Sequence, residues 1–238
     1  MREKTDIKAV RKVAIDFLNI EPTQVDGIGE SFLVNHPILV SRFVYLTEIE
    51  GMFDVLEDKG NYRIWRREMQ ELIENCDSEY RISDLIRRNY RLAFFSYMHE
   101  YLSDKAFALL LRESWTRAER ITGDLNVSSE EMVKWFRNAD KRYLMNDDEK
   151  KFLVELPNGV PIFRGVGSPD YKYGMSWTLD EEKAKWFATR FDSDMQVVYS
   201  TTIQKLDILA YFTERGENEI VVDPDTLKKC DIKIVDIT

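Results

Sequence analysis

Cysteine is scarce in this chain. Cys76 and Cys230 are the only two among 238 residues, and they do not form a CxxC pair. Two isolated cysteines cannot build a disulfide framework, and they suit a reducing compartment. His36 and His99 have no cysteine or histidine neighbours at metal-binding spacing. These absences predict a cytoplasmic protein with two buried structural thiols, two structural histidines and no metal.

Proline, glycine and long apolar runs are also few. The chain has 6 prolines and 10 glycines, with no low-complexity tract, so long disordered regions are disfavoured. No stretch is apolar enough to span a bilayer, and residues 1–18 lack an apolar core of signal-peptide length. We therefore expect no membrane partner. At 44% hydrophobic residues, the chain can bury one large core or two modest ones.

Net positive charge is lacking as well. The formal charge of −9 disfavours a general affinity for phosphate backbones, which requires a basic surface. A local exception is a set of arginines interspersed with aromatic residues: Arg63, Arg66, Arg67, Arg81, Arg87, Arg88 and Arg91. This Arg-rich helical face could bind nucleic acid or an acidic protein. The alternative, more common for such runs, is a solvated face paired with neighbouring acidic residues.

Apolar spacing predicts helices in the first 150 or so residues. The predicted helices cover residues 7–18, 36–56, 62–76 and 82–102, and two more begin after Ser103 and Ser128. The second is expected to be long and largely buried, opened by His36-Pro37 and stopped at Gly60. Ser128 and Glu131 form a capping box, in which each side chain satisfies a backbone donor of the other.

From about Phe152 the pattern changes to short β-branched and aromatic runs separated by turn signals. The predicted strands cover residues 160–163, 175–178, 196–203, 208–212, 219–222 and 232–237. One helix interrupts them near Leu179 to Phe191, with a capping box from Thr178 to Glu181. A helix among strands is typical of an α+β fold. We predict a helical domain over residues 1–125 and an α+β domain over residues 126–238.

Short motifs in the second part carry side chains suited to chemistry. Glu217 and Glu219 are two apart, so in a strand they face the same side, where two carboxylates can divide the roles of base and charge stabiliser. Ser176 and Thr178 share a face in the same way, and hydroxyls can orient a carboxylate. Taken singly, each pair is more commonly a solvated face or an ordinary strand with a helix cap.

The order of the motifs is more informative than any one of them. Arg164-Gly165 lies in VPIFRGV, Ser176 and Thr178 in GMSWTLDEEKAKWFATRF, and the two glutamates in LAYFTERGENEIVV. Over roughly residues 160–223, this ordered set resembles the Arg/Ser/Glu branch of the mono-ADP-ribosyltransferases, of toxin or phage type, which move ADP-ribose from NAD to an acceptor. The resemblance implies a small split β-sandwich in the second domain.

The resemblance also implies how NAD, as co-substrate and without a metal, would be held. Arg164 would contact the NAD diphosphate or the nicotinamide-side ribose, and Gly165 would offer backbone hydrogen bonds to the carboxamide. Ser176 would orient Glu219, and Thr178 would support the strand. Glu219 would bind the ribose 2′-hydroxyl and stabilise positive charge at the anomeric carbon. From residue type alone, Arg164 could instead form a structural ion pair.

Acceptor recognition is implied for the turn before the last strand. Glu217 would meet and activate the acceptor, and a glutamate at this position goes with arginine acceptors in the family. Tyr211 and Phe212 are candidates to contact the acceptor protein, with strand packing as the alternative. Phe187 would wall the nicotinamide pocket, although an aromatic at helical spacing is more commonly core. Arg190 would lie near the phosphates, with a solvated arginine as the alternative.

Three functions from different classes fit these observations. The first is a mono-ADP-ribosyltransferase that modifies a protein side chain, with arginine favoured, as a toxin-like effector or phage protein would. The second is an NAD glycohydrolase, in which water is the acceptor. The third is a catalytically inactive module that binds through the helical region. The pair Glu217 and Glu219 favours the enzymes over the inactive module.

Overall fold

The computed structural model describes residues 2–24, 34–118, 126–190 and 195–237, and it is a mixed α+β structure with an antiparallel sheet. The helices are α1 (Ile7–Leu18), α2 (Lys59–Asn75), α3 (Glu79–Asp84), α4 (Arg91–Met98), α5 (Asp104–Arg117), α6 (Ser129–Asn138), α7 (Lys141–Leu144), α8 (Asp147–Glu155), α9 (Glu181–Thr189) and α10 (Pro224–Leu227). The strands are β1 (Thr23–Gln24), β2 (Val34–Asn35), β3 (Phe43–Leu46), β4 (Gly51–Asp54), β5 (Gly159–Val166), β6 (Ser176–Thr178), β7 (Val197–Gln204), β8 (Ile208–Phe212), β9 (Glu219–Val222) and β10 (Lys233–Val235).

The described residues divide into two compact units. The first takes residues 2–24, 34–110, 117 and 118, and the second takes residues 111–116, 126–190 and 195–237. The predicted boundary at residue 125 lies outside the described residues. The second unit nevertheless includes part of α5, which the sequence prediction had assigned wholly to the helical domain. No helix in the described ranges is long and apolar enough to cross a membrane.

In the first unit, α1 and α2 confirm two of the predicted helices, but the predicted helix over residues 36–56 is wrong. This segment instead forms the β3–β4 hairpin, in which Phe43 and Tyr45 are exposed and Leu46 is buried, the two-residue alternation of a strand. The buried ring of His36 accepts hydrogen bonds from the amides of Ile38 and Leu39, which fixes a turn where a helix was expected.

The prediction that Gly60 stops a helix is also wrong, because Gly60 lies in the first turn of α2. Its amide donates to the side chain of Asp58, the N-cap residue. The helix predicted over residues 82–102 is broken between α3 and α4. There the backbone of Arg87 is extended and its amide donates to the carbonyl of Pro37. This long-range hydrogen bond outweighs the local helical pattern.

Several members of the Arg-rich helical face have partners within the first unit. Arg66 donates to Asn19, Arg67 pairs with Glu48, and Arg91 pairs with Asp84. The guanidinium of Arg87 donates to the carbonyls of residues 34, 36 and 39. Arg67 and Arg91 thus pair with acidic residues, as that alternative predicts, although Arg91 is buried and not solvated.

The second unit contains a six-stranded antiparallel sheet with strand order β10-β7-β5-β6-β9-β8. The predicted strands are confirmed, as is the capping box between Ser128 and Glu131 at the start of α6. The predicted capping box at Thr178 is wrong: Asp180 caps α9 by accepting from the amide of Lys183. Phe191, predicted on the inner face of that helix, lies outside the described residues.

Neither cysteine is fully buried, contrary to the prediction of two buried thiols. Cys76, in the first unit, and Cys230, in the second, are both half-buried and free. The thiol of Cys76 donates to the carbonyl of Ser78, and that of Cys230 to the carbonyl of Thr226. Cys76 is the C-cap residue of α2, and Cys230 follows the end of α10 by three residues.

Helix α9 packs directly against β5, and a glycine makes this approach possible. Ala184 and Ala188 of α9 form a buried cluster with Val198 of β7, against which Phe163 packs. A Cβ atom added to Gly165 would lie 1.7 Å from the carbonyl oxygen of Ala184, so no side chain fits there. The close approach of the α9 backbone to β5 therefore requires a glycine at position 165.

We predict that Gly165→Ala lowers the free energy of unfolding of the second unit by about 3 kcal/mol, because helix backbone must move to admit the methyl group. The matched control is Gly159→Ala in the same strand, whose added Cβ meets only the methyl of Thr202 at 3.3 Å. We expect this control to change stability by less than about 1 kcal/mol. Urea denaturation measures both, and equal stability of the two variants would contradict the packing argument.

Candidate functional site

The predicted contact between Ser176 and Glu219 is present. Strands β6 and β9 pair with Thr178 opposite Glu219 and Ser176 opposite Val221, so both hydroxyl side chains share the sheet face of Glu219. The hydroxyl of Ser176 donates to Oε1 of Glu219 at 2.5 Å. The Glu219 side chain is therefore fixed by a neighbouring strand, although the two residues are 43 positions apart in the chain.

A second donor to the same oxygen was not predicted from the sequence. The indole nitrogen of Trp115, on the part of α5 that belongs to the second unit, donates to Oε1 of Glu219 at 3.0 Å. Trp115 is fully buried and packs edge to face on Phe136. From the sequence, this residue was placed only within the helix predicted to begin after Ser103. The available signal was its indole N–H, which requires a partner when it is buried.

Burial and hydrogen bonding act in opposite directions on Glu219. The residue is only 7% exposed, and this burial is the main reason that the pKa of the carboxyl rises from 4.5 to about 7. The hydrogen bonds from Ser176 and Trp115 oppose the rise, Glu217 adds to it, and Arg164 opposes it. Near neutral pH the carboxyl therefore exists in both charge states, as is common for groups with a chemical role.

Glu217 does not project from the same strand as Glu219, so this prediction is wrong. Strand β9 begins at Glu219, and Glu217 follows a short 3₁₀ turn over Glu214–Gly216. The next residue, Asn218, has a φ of 44°, in the left-handed region that asparagine tolerates better than most residues. This change of backbone direction breaks the two-residue alternation on which the prediction depended.

The turn that carries Glu217 is nevertheless held firmly at its end. Thr178 donates its hydroxyl to the carbonyl of Glu217 at 2.7 Å and accepts from the amide of Asp180 at 3.1 Å. The hydroxyl of Tyr211 donates to the side-chain oxygen of Asn218 at 3.0 Å. Thr178 therefore connects the turn to the start of α9, a role more specific than the expected support of its strand.

Arg164 lies on the strand adjacent to β6. Its guanidinium donates to the carbonyl of Ser176 at 2.5 Å and to the carbonyl of Tyr171 at 3.0 Å. Burial lowers the pKa of Arg164 to about 10, and the nearby charge of Glu219 opposes that change. The guanidinium thus braces the backbone beside Ser176. The neighbouring Gly165 packs against α9, as described above.

The other predicted site residues differ in exposure. Tyr211 and Phe212 are buried: Tyr211 stacks on Phe152, and the ring of Phe212 packs near Phe136. Strand packing therefore accounts for both, and they offer almost no exposed surface for the predicted contact with an acceptor protein. Phe187 is half-buried on α9, and the guanidinium of the exposed Arg190 lies 4.9 Å from its ring centre.

We predict that Glu219 destabilises the fold as the pH rises. Below its ordinary pKa of 4.5 the carboxyl is protonated in both the folded and unfolded chain; between 4.5 and about 7 only the folded chain retains the proton. Stability is therefore lost over this interval, by about 3 kcal/mol at most. Glu219→Gln, which has no such titration, gains stability relative to the wild type by that amount between pH 4.5 and about pH 8.

Urea denaturation of both proteins across this pH range measures the difference. The matched control is Glu182→Gln, which changes an exposed glutamate of α9 in the same unit. We expect the stability of this control to follow the wild type at every pH. A constant difference between Glu219→Gln and the wild type from pH 4.5 to about pH 8 would show that Glu219 titrates normally.

Within the residues that the structure describes, no group of three or more His, Cys, Asp and Glu side chains could hold a metal ion. Comparison of the chain with protein-family models, with curated proteins and with solved structures found no match. The groups that this site offers to chemistry are the carboxyl of Glu219, the hydroxyl and indole that fix it, and the carboxyl of Glu217 in the adjoining turn.

Proposed function

We propose that this chain is a mono-ADP-ribosyltransferase that transfers ADP-ribose from NAD to a protein side chain, with release of nicotinamide. The observation that carries the proposal is the hydrogen bond from Ser176 to Glu219, which joins the second and third motifs of the ordered set. Arginine is the acceptor that Glu217 favours. A cytoplasmic place of action, in the producing cell or in a host, belongs to the same proposal.

The sheet order supports this assignment. The three motifs lie on or next to β5, β6 and β9, which are adjacent in the sheet although they are distant in the sequence. Adjacent strands bring the guanidinium of Arg164 to the backbone of Ser176, and the hydroxyl of Ser176 to Glu219. A split β-sandwich of the transferase type is the finer fold that we propose for the second unit.

Glu219 has the properties that cleavage of the nicotinamide bond requires. Both of its hydrogen bonds in the described part of the chain go to Oε1, which leaves Oε2 to meet a ribose hydroxyl of NAD. Loss of nicotinamide creates an oxocarbenium-like centre, and an ionised carboxylate held beside it stabilises charge that develops only in the transition state. A fixed orientation matters because the carboxylate then needs no reorganisation during the reaction.

Glu217 has the properties of the residue that meets the acceptor. It is half-exposed, its backbone carbonyl is fixed by Thr178, and its charge acts on the carboxyl of Glu219. An arginine acceptor is protonated at neutral pH and must lose a proton before its nitrogen can attack. A carboxylate within reach of the guanidinium can take that proton. In this proposal Glu219 serves bond cleavage and Glu217 serves the acceptor.

We predict that purified protein with labelled NAD and a cell lysate labels a discrete protein band. Glu219→Gln loses this transfer and slows nicotinamide release by about 100-fold or more, because it removes the charge that stabilises the transition state. Glu217→Gln keeps nicotinamide release but loses transfer to arginine. Glu182→Gln, on the exposed face of α9, is the matched control and behaves as the wild type.

The products of this assay distinguish the alternatives. Nicotinamide release with free ADP-ribose and no labelled protein would favour an NAD glycohydrolase. Undiminished turnover in Glu219→Gln would overturn the assignment of the site. Absence of both nicotinamide release and labelled protein in the wild type would contradict the transferase proposal and favour an inactive binding module.

A further inference from the structure

A buried ion pair lies next to the candidate site, and none of the motifs includes it. Arg112 of α5 binds Glu149 of α8 through two hydrogen bonds, from Nη1 to Oε2 at 2.5 Å and from Nη2 to Oε1 at 2.9 Å. The Glu149 side chain is completely buried, and that of Arg112 is 14% exposed. Two parallel hydrogen bonds of this kind are among the strongest and most directional pairings in proteins.

In the part of the chain that the structure describes, the carboxylate of Glu149 accepts three further hydrogen bonds. Oε2 accepts from the amide of Asn146 at 2.8 Å, in the capping box that starts α8. Oε1 accepts from the amide of Thr213 at 2.9 Å and from its hydroxyl at 3.1 Å. Burial by itself would raise the pKa of Glu149, but the hydrogen bonds from Arg112, Thr213 and Asn146 hold it below its ordinary value.

These contacts reach the beginning of the turn that carries Glu217. Thr213 is held by Glu149, and the next residue, Glu214, pairs with Nε of Arg112 at 2.9 Å. At the other end of the turn, Thr178 holds the carbonyl of Glu217. The segment 213–218 is therefore fixed at both ends by side chains from outside it.

Stability alone does not explain this arrangement. A buried ion pair gains little over a well-packed apolar pair, because both charges lose their hydration. An apolar pair, however, could not accept the hydrogen bonds that the amide and hydroxyl of Thr213 donate to Glu149. The orientation of the turn is thus the property that depends on the charges. Arg112 also lies three residues before Trp115, so one face of α5 contacts both the turn and Glu219.

We infer that the pair of Arg112 and Glu149 positions the turn at residues 213–218, and thereby directs ADP-ribose to a protein acceptor in preference to water. This inference rests on the proposed function. In either reaction the bond from C1′ to nicotinamide breaks and nicotinamide leaves with the electron pair. C1′ then bonds to a guanidine nitrogen or to a water oxygen, and the nucleophile gives up one proton. Only the first route needs Glu217 at a fixed place.

The test compares transfer with hydrolysis in the same assay. In Glu149→Gln, we expect labelled acceptor to fall about 10-fold relative to free ADP-ribose, because small displacements of a catalytic group cost rate steeply. Nicotinamide release should change little, since Glu219 keeps its own hydrogen bonds. Thr213→Val removes only the hydroxyl contact with Glu149, and we expect a smaller change in the same direction. If Glu149→Gln does not fold, Thr213→Val still tests the inference.

The matched control is Arg142→Met, which removes an exposed ion pair with Asp140 in the same unit. We expect its ratio of transfer to hydrolysis to equal that of the wild type. If Glu149→Gln and Thr213→Val lower transfer and hydrolysis in parallel, the pair is merely structural and the inference is overturned. A wild type that releases no nicotinamide would instead contradict the proposed function.

Amide hydrogen exchange tests the positioning role without any turnover. We expect the amides of residues 214–218 to exchange faster in Glu149→Gln and Thr213→Val than in the wild type, and at the wild-type rate in Arg142→Met. Unchanged exchange in both turn variants would contradict the inference even if the enzyme proposal were correct.

Discussion

The carboxyl of Glu219 and the two hydrogen bonds to its Oε1 are the interaction on which the site depends. Ser176 supplies one donor from the adjacent strand, and Trp115 supplies the other from a helix that is 104 residues away in the chain. Both favour the ionised form, whereas burial favours the neutral one. The balance gives a carboxyl that is fixed in direction and close to half-ionised at neutral pH.

The surrounding fold serves this arrangement in identifiable ways. The register between β6 and β9 puts Ser176 and Glu219 on one face, and the guanidinium of Arg164 braces the backbone of β6. Gly165 lets α9 approach β5 closely. Ionisation of the buried carboxyl costs the folded state free energy. Sites arranged for chemistry commonly lower the stability of a protein in this way.

The strands of the second unit were predicted from the sequence more accurately than the elements of the first unit. The runs 208–212 and 219–222 are dense in β-branched and aromatic residues between clear turns, and their bounds agree with β8 and β9. The segment after His36 was wrongly predicted to be a helix because its apolar residues are as dense as those of a buried helix. Its hydrogen bonds to the His36 ring are not visible in periodicity. Glu217 was misplaced because nothing in the residue order revealed the left-handed Asn218.

Trp115 and the pair of Arg112 and Glu149 were missed for one physical reason. Their partners are distant in sequence, and the sequence of one chain does not show which buried donors and acceptors meet. The contact between Ser176 and Glu219 was predictable only because an ordered set of motifs implied it. Local composition thus indicated the strands, whereas the polar contacts between elements required the structure.

Titration of the Glu219 carboxyl tests this account most directly. Carbon NMR of protein labelled at the glutamate side chains follows that resonance with pH, and Glu219→Gln assigns it. We expect a midpoint at about pH 7 in the wild type and a higher one in Trp115→Phe, which removes a hydrogen bond to the ionised form. A wild-type midpoint near the ordinary 4.5, unchanged in Trp115→Phe, would contradict it.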